Sequence, residues 1–188
     1  MFQMFYPDLW LDSAYEIDYE KYYEMGYRGV LFDIDNTLVE HGAPATDRAR
    51  ELFERLRRIG FATCLISNNQ KPRVAPFAEA VGSPYLENAH KPSVKGYEKA
   101  CSLIGTTKEQ TFFVGDQLFT DVYGAKRAGL HNILTKPIDP KEEIQIILKR
   151  LPERAVLRRF RKTAAEKIRT SSGTVWKRRG LPDGRGGL

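Results

Sequence analysis

Four short apolar runs punctuate the chain, at residues 29–34, 61–67, 111–115 and 132–135. Each is too short for a globular helix and ends in polar or turn-forming residues, so each predicts a buried strand. A weaker run at residues 85–86 suggests a fifth strand. Between these runs the apolar positions fall at helical spacing. Thr46 can cap a helix that carries Leu52, Leu56 and Ile59 and stops at Gly60. Residues 93–104 repeat the scheme before Gly105, and residues 121–128 before Gly129. Pro76 weakens the helical reading of residues 73–81, because an internal proline removes a backbone hydrogen bond. Strands alternating with helices predict an α/β fold, a doubly wound parallel sheet covered on both faces. Such sheets collect their chemistry at the carboxyl ends of the strands.

A chain of 188 residues, 41% of them hydrophobic, suits one domain with an appendage. Residues 1–150, with an N-terminal helical lead-in, read as that domain; residues 151–188 read as a basic helix followed by a disordered tail. No run approaches the roughly 20 apolar residues that cross a bilayer. The aromatic N-terminus lacks the basic lead and apolar stretch of a secretory signal. Cys64 and Cys101 lie in apolar surroundings without metal-ligand spacing, so a reduced, cytoplasmic chain is expected.

Charge changes this picture at one end. The chain holds 30 basic and 24 acidic residues; 13 of the former and 3 of the latter lie from Lys149 on, a net of +10 there against −4 elsewhere. A basic tail on an acidic body points to an anionic partner. In residues 153–169, Leu157, Phe160, Ala164 and Ile168 recur near helical spacing among Arg154, Arg158, Arg159, Arg161 and Lys162. Two readings stand. The helix can lie peripherally on the anionic inner face of a membrane, with Trp176 and Lys177 as an added anchor, so that residues 153–179 form the contact. Alternatively, its stripe packs on the domain and its arginines face water. The basic end can also meet RNA.

Candidate chemistry concentrates where the first strand ends, in Asp33-Ile34-Asp35-Asn36-Thr37. Residues two apart on a strand point the same way, so Asp33 and Asp35 are expected to converge. Two such charges call for a cation or a shared proton, and Mg²⁺ is the natural cation, taking hard oxygen ligands together with phosphate oxygens. A strand-end aspartate capping the next turn reads the same pair. The second strand ends in Ser67-Asn68-Asn69, where a hydroxyl and main-chain amides can hold phosphate oxygens, though a plain turn has this composition too. Lys91 precedes a helix and can neutralise a phosphoryl group, or be an ordinary solvated lysine. Gly115-Asp116 ends the run at 111–115, with Asp121 further on; Gly115 allows close approach and Asp116 can complete a metal site. Carboxylates, a hydroxyl and a lysine, each ending a strand of one sheet, are what phosphoryl transfer requires.

Asp33-x-Asp35-x-Thr37, Ser67, Lys91 and Gly115-Asp116 with Asp121 resemble the four motifs of the haloacid dehalogenase (HAD) superfamily, over about residues 29–135. Tyr6-Pro7-Asp8, Tyr27-Arg28-Gly29-Val30 and Asp121-Val122-Tyr123-Gly124-Ala125 are similar to the YqeG-like HAD-IIIA phosphatases, relatives of the mitochondrial phosphatidylglycerophosphate phosphatase. The resemblance implies that Asp33 attacks phosphorus, that Asp35 serves as acid and then base, and that Thr37 orients Asp35 and the loop. It implies that Ser67, Asn68 and Lys91 bind the phosphoryl group. Mg²⁺ would be held by Asp33, the Asp35 carbonyl and Asp116, with Asp121 a metal or outer-sphere group that can instead pair with Lys91. The tail after Leu151 is longer than the family pattern, and no role carries over to it.

The intervals from Thr37 to Ser67 and from Ser67 to Lys91 leave no room for a cap domain. An open site favours a substrate that covers the pocket itself. The expected substrate is a lipid headgroup, with phosphatidylglycerophosphate the specific expectation. A soluble nucleotide, sugar or protein phosphatase is the competing enzyme reading. A non-catalytic module that binds RNA or the ribosome is the reading from another class.

Overall fold

The structure, a computed structural model, describes residues 3–139 and 156–160. Six strands form one sheet: β1 (Leu9–Leu11), β2 (Gly29–Phe32), β3 (Ala62–Ile66), β4 (Tyr85–Leu86), β5 (Thr111–Gly115) and β6 (His131–Thr135). Their order is β1-β6-β5-β2-β3-β4, and every pair is parallel. Five helices connect them: α1 (Tyr19–Glu24), α2 (Asp47–Ile59), α3 (Lys71–Val81), α4 (Val94–Leu103) and α5 (Tyr123–Arg127).

The pleat divides the apolar strands between two cores. Val30 and Phe32 of β2 and Phe112 and Val114 of β5 face a core that takes Tyr19, Phe53 of α2 and Phe77 of α3. Leu31 and Phe113, one residue out of phase, face a second core with Tyr97 and Ala100 of α4 and Ala125 of α5. Burial on both faces explains why the central strands read as continuous apolar runs rather than alternating ones. Phe112 sits among Tyr22, Tyr27, Phe61 and Tyr19, with ring centroids 4.6, 5.4, 6.0 and 6.3 Å away.

The doubly wound parallel fold expected from the sequence is the fold observed, and α2 runs from its Thr46 cap to Gly60 in a left-handed conformation. Four local expectations need correction. The ladders of β2 and β3 are shorter than the apolar runs, because Asp33 and Ile34, and likewise Phe61 and Ser67, lie just outside the paired residues. Residues 71–81 are helical despite Pro76. Its side chain is exposed, and Val74, Phe77, Ala78 and Val81 bury an apolar stripe that outweighs the roughly 3 kcal/mol an internal proline costs. The helix expected at 121–128 starts earlier, as a π-helical turn at Leu118–Val122 that runs into α5. Finally, β1 has no periodic signal at all. It is held to β6 because the Asp8 carboxylate accepts from the Asn132 main-chain N–H at 3.1 Å and from its amide at 2.6 Å.

Among the described residues no helix is long and apolar enough to cross a membrane. Of the basic run, residues 156–160 are helical. Leu157 packs on the cluster of Leu118, Val122 and Leu134 beside Trp10, and Phe160 meets Tyr6 edge-on at 5.4 Å. Two of the four apolar stripe positions therefore cover the domain. Ala164, Ile168 and Trp176, like the expected boundary at 150/151, lie outside the described residues.

Phe112→Ala should remove about 3–5 kcal/mol of stability, because the rings around it cannot close the space it leaves. Urea unfolding checks this as a lower midpoint at unchanged slope.

Candidate active site

The parallel sheet brings the carboxyl ends of β2, β3, β4 and β5 to one edge. Asp33 prolongs β2, its N–H donating to the Val114 carbonyl at 2.9 Å. The chain then turns tightly: Thr37 and Leu38 N–H both reach the Ile34 carbonyl, and Asn36 takes a left-handed φ of 62°. Ile138 N–H holds the Asn36 carbonyl at 3.0 Å, which fixes this loop to the segment after β6.

Lys91 arrives from beyond β4. Asn68 clamps its main chain from both sides, accepting from Lys91 N–H at 2.7 Å and donating to its carbonyl at 3.1 Å. The ammonium donates to Asp33 Oδ1 at 2.5 Å and to Asp121 Oδ1 at 2.7 Å. Lys91 and Asp33 are each 7% exposed and Asp121 only 1%. Burial works against the charge on Lys91, but the carboxylates of Asp121 and Asp33 outweigh it and hold its pKa above the usual lysine range. For Asp33 burial is the larger influence. It lifts the carboxyl to about 7, with Lys91 pulling it down and Asp121 pushing it up.

Asp121 is positioned through close contacts. Its Oδ2 accepts from Gln117 N–H at 3.0 Å, and the Tyr97 hydroxyl donates to the carbonyl of Thr120 at 3.0 Å. A Cβ on Gly115 would stand 2.5 Å from Asp121 Oδ2 and 2.7 Å from the Phe113 ring, so only glycine lets this carboxylate lie against the end of β5. Asp116 follows directly, and Thr37 Oγ1 donates to its Oδ1 at 3.4 Å. Thr37 thus touches Asp116, where the resemblance implied that it orients Asp35 and the loop. Ser67 is buried, and its hydroxyl accepts from Asn69 N–H at 3.1 Å.

Asp33, Asp116 and Asp121 each offer an oxygen within 4.8 Å of the other two. Three buried carboxylates, two of them bound to one ammonium, form a hard, oxygen-only donor set with surplus negative charge, and a divalent cation fits it. Asp35 does not point its carboxylate into this cluster. It lies past the end of β2, where the two-residue period no longer applies. Its Oδ1 accepts from Gly42 N–H at 2.8 Å and from Arg73 Nη2 and Nε at 2.8 and 3.2 Å. Its Oδ2 accepts from the Asn69 amide at 2.7 Å. Arg73 and Gly42 were not singled out in the sequence, and Asn69 was named only for its main-chain amide. Asn69 precedes the Gln70 cap of α3 and Arg73 lies in its first turn, so no helical period links the two.

Residues 40–129 match the family described as haloacid dehalogenase-like hydrolase. That stretch contains Ser67, Lys91, Asp116 and Asp121; Asp33 and Asp35 lie just before it. The chain is 36% identical over 156 residues to the probable phosphatase YqeG of Bacillus subtilis (strain 168), covering 82% of this chain and 91% of that protein. It is 27% identical over 170 residues to the chloroplastic/mitochondrial phosphatidylglycerophosphate phosphatase 1 of Arabidopsis thaliana, covering 84% of this chain and 49% of that protein. A crystal structure 17% identical in sequence superposes with a TM-score of 0.51 over 79% of this chain and 98% of its own, a likeness of fold alone.

Gly115→Ala should cost about 1–3 kcal/mol by driving a methyl group into Asp121 and Phe113. In an Asp121→Ala background the penalty should shrink, and a double-mutant cycle of thermal unfolding measures the difference.

Proposed function

The chain belongs to the haloacid dehalogenase-like hydrolases and is a phosphatase, and from this premise we propose that it cleaves a phosphate monoester through an aspartyl-phosphate on Asp33, with Mg²⁺ as cofactor and a lipid-linked phosphate as substrate. The observation that carries the reading is the Lys91 ammonium bridging Asp33 and Asp121 beside Asp116, at the sheet edge where four strands end.

In the first half-reaction an Asp33 oxygen attacks phosphorus. The Asp33–phosphorus bond forms as the ester oxygen departs, and Asp35 gives that oxygen its proton. In the second, the ionised Asp35 takes a proton from water, whose oxygen attacks phosphorus. The Asp33–phosphorus bond breaks, and inorganic phosphate leaves. The Ser67 hydroxyl, the Asn68 main-chain amide and the Lys91 ammonium hold the phosphoryl oxygens, while the Asn68 side chain keeps Lys91 in place. Asp33, the Asp35 carbonyl and Asp116 would hold Mg²⁺, with Thr37 fixing Asp116 and Asp121 fixing Lys91. When bound, the ion offsets the charge on the phosphoryl oxygens and lets the anionic nucleophile approach.

The lipid assignment draws support from the open approach. Only α2 lies between β2 and β3, and only α3 between β3 and β4, so no inserted domain roofs the site. The Arabidopsis relative, whose name carries a lipid phosphate, adds weight. One observation favours a soluble substrate instead: Leu157 and Phe160 are used on the domain rather than left for a bilayer. Contact of residues 153–179 with an anionic surface would then rest on basic side chains such as the exposed Arg158.

Phosphate release from micellar phosphatidylglycerophosphate, compared with a panel of sugar, nucleotide and triose phosphates, separates the two readings by relative kcat/KM. The lipid should lead by tenfold or more, and a soluble compound in first place overturns the assignment. Asp33→Asn should lose about 10⁴-fold or more on every substrate, and retained turnover would remove Asp33 as nucleophile.

A second prediction concerns pH. In the ion-free protein the raised Asp33 carboxyl holds a proton below about pH 7, which a divalent ion must displace. Mg²⁺ affinity should therefore be flat above that pH and fall by about tenfold per unit below it. Calorimetric titration in buffers of different ionisation enthalpy reads the released proton, and pH-independent affinity argues against Asp33 as a ligand.

A further inference from the structure

Lys91 spends its charge inside the site, with 4% of its side chain exposed. Arg73, in the first turn of α3, is the shallower cation, with 21% exposed. Its Nε and Nη2 both converge on Asp35 Oδ1, so the guanidinium is anchored along one edge. Among the described residues Nη1 has no hydrogen-bond partner, and one face of the group lies 5.7 Å from the Phe77 ring centroid. An arginine fixed on one side by a carboxylate and packed against a ring keeps a planar set of donors free on the other. That arrangement receives a carboxylate or phosphate oxygen with little further loss of freedom.

The position of this free edge says which part of a substrate it meets. Under the proposed function, Asp35 hands its proton to the departing ester oxygen. A ligand on the outer nitrogen of a guanidinium bonded to Asp35 is therefore close to that oxygen and belongs to the alcohol, while Lys91 and Ser67 hold the phosphoryl group. We propose that Arg73 is a specificity-determining residue that selects phosphate monoesters whose alcohol carries a second anionic group, a carboxylate or a phosphodiester, a few bonds from the ester oxygen. The inference rests on the assignment of Asp35 to the leaving-group side, and it is separable from the identity of the physiological substrate.

The test compares substrates that share a scissile phosphate and differ in the second group: sn-glycerol 3-phosphate, with a neutral hydroxymethyl, 3-phosphoglycerate, with a carboxylate, and glycerophosphoglycerol phosphate, with a phosphodiester. In the wild type at least one anionic substrate should exceed glycerol phosphate by about tenfold or more in kcat/KM, and the better of the two identifies the second group. Arg73→Gln should bring that ratio close to one, chiefly through KM, and Arg73→Lys should keep part of it. If Arg73 only orients Asp35, the glutamine variant loses activity on all three substrates by one common factor and the ratio stands, which overturns the proposal. A wild-type ratio at or below one overturns it as well. Affinities for the same three compounds, measured by calorimetry in Asp33→Asn and in Asp33→Asn with Arg73→Gln, provide a reading independent of turnover. Charge selectivity that vanishes with Arg73 there upholds the proposal even where no substrate is hydrolysed and the phosphatase mechanism fails; equal affinities in both proteins refute it.

Discussion

A buried ammonium between two buried carboxylates is the constraint around which the rest of the molecule is arranged. Moving one charge into a protein interior costs several kcal/mol, and the Lys91 contacts to Asp33 and Asp121 recover that cost only while all three groups stay in register. Each partner comes from a different stretch of chain: Asp33 from the end of β2, Lys91 from beyond β4, Asp121 from the π-helical turn after β5. Their meeting depends on the parallel ladders that align β2 with β5 and with β3. The sheet acts here as a positioning device whose tolerance is a hydrogen bond's length.

Neighbouring details follow from keeping that ion pair in place. Asn68 spends its amide on the Lys91 main chain, which leaves Nζ to be set by its carboxylates. Gly115 has no side chain because Asp121 occupies the space a Cβ would need. The Tyr97 hydroxyl satisfies the Thr120 carbonyl in the π-helical turn, and Gly124 leaves room for that ring, a Cβ there falling 2.5 Å from its oxygen. One ammonium shared by two carboxylates, with Asp116 beside them, leaves negative charge in excess. A divalent cation fits that excess.

The fold was legible wherever burial on both faces produced an unbroken apolar run, as in β2 and β5, and wherever a helix carried its own cap and stop, as α2 does. It was illegible where stability comes from elsewhere. Three residues of β1 are held by a side-chain pair 124 positions apart, which no local pattern records. Pro76 obscured α3 because a local penalty is visible in sequence while the compensating burial of Val74 and Phe77 is not. The site behaved alike. Asp33, Lys91, Asp116 and Asp121 could be nominated because each ends an apolar run or a turn, yet the partition between them could not. Asp35 was expected beside Asp33 by strand periodicity, but the strand stops at Phe32, and a left-handed Asn36 carries the loop onward. The Asp35 carboxylate consequently turns toward α3, where Arg73 receives it.

Two aspartates two residues apart thus occupy contrasting surroundings, and their surroundings rather than their chemistry divide the work between them. Asp33 sits where burial disfavours its charge and the Lys91 ammonium offsets only part of that cost. Asp35 sits among donors, three of them on Oδ1 and one, from Asn69, on Oδ2. Under the proposed mechanism Asp35 alternates between giving and taking a proton, and such a carboxyl needs one oxygen whose neighbour can follow the change. Guanidinium and main-chain N–H groups only donate, so Oδ1 serves as the permanent acceptor. An amide carries a donor and an acceptor on one group, and a half-turn of Asn69 would present its carbonyl to Oδ2 in place of its NH₂. Under that mechanism Oδ2 is the oxygen suited to exchange the proton, while Arg73 is bound to the other oxygen.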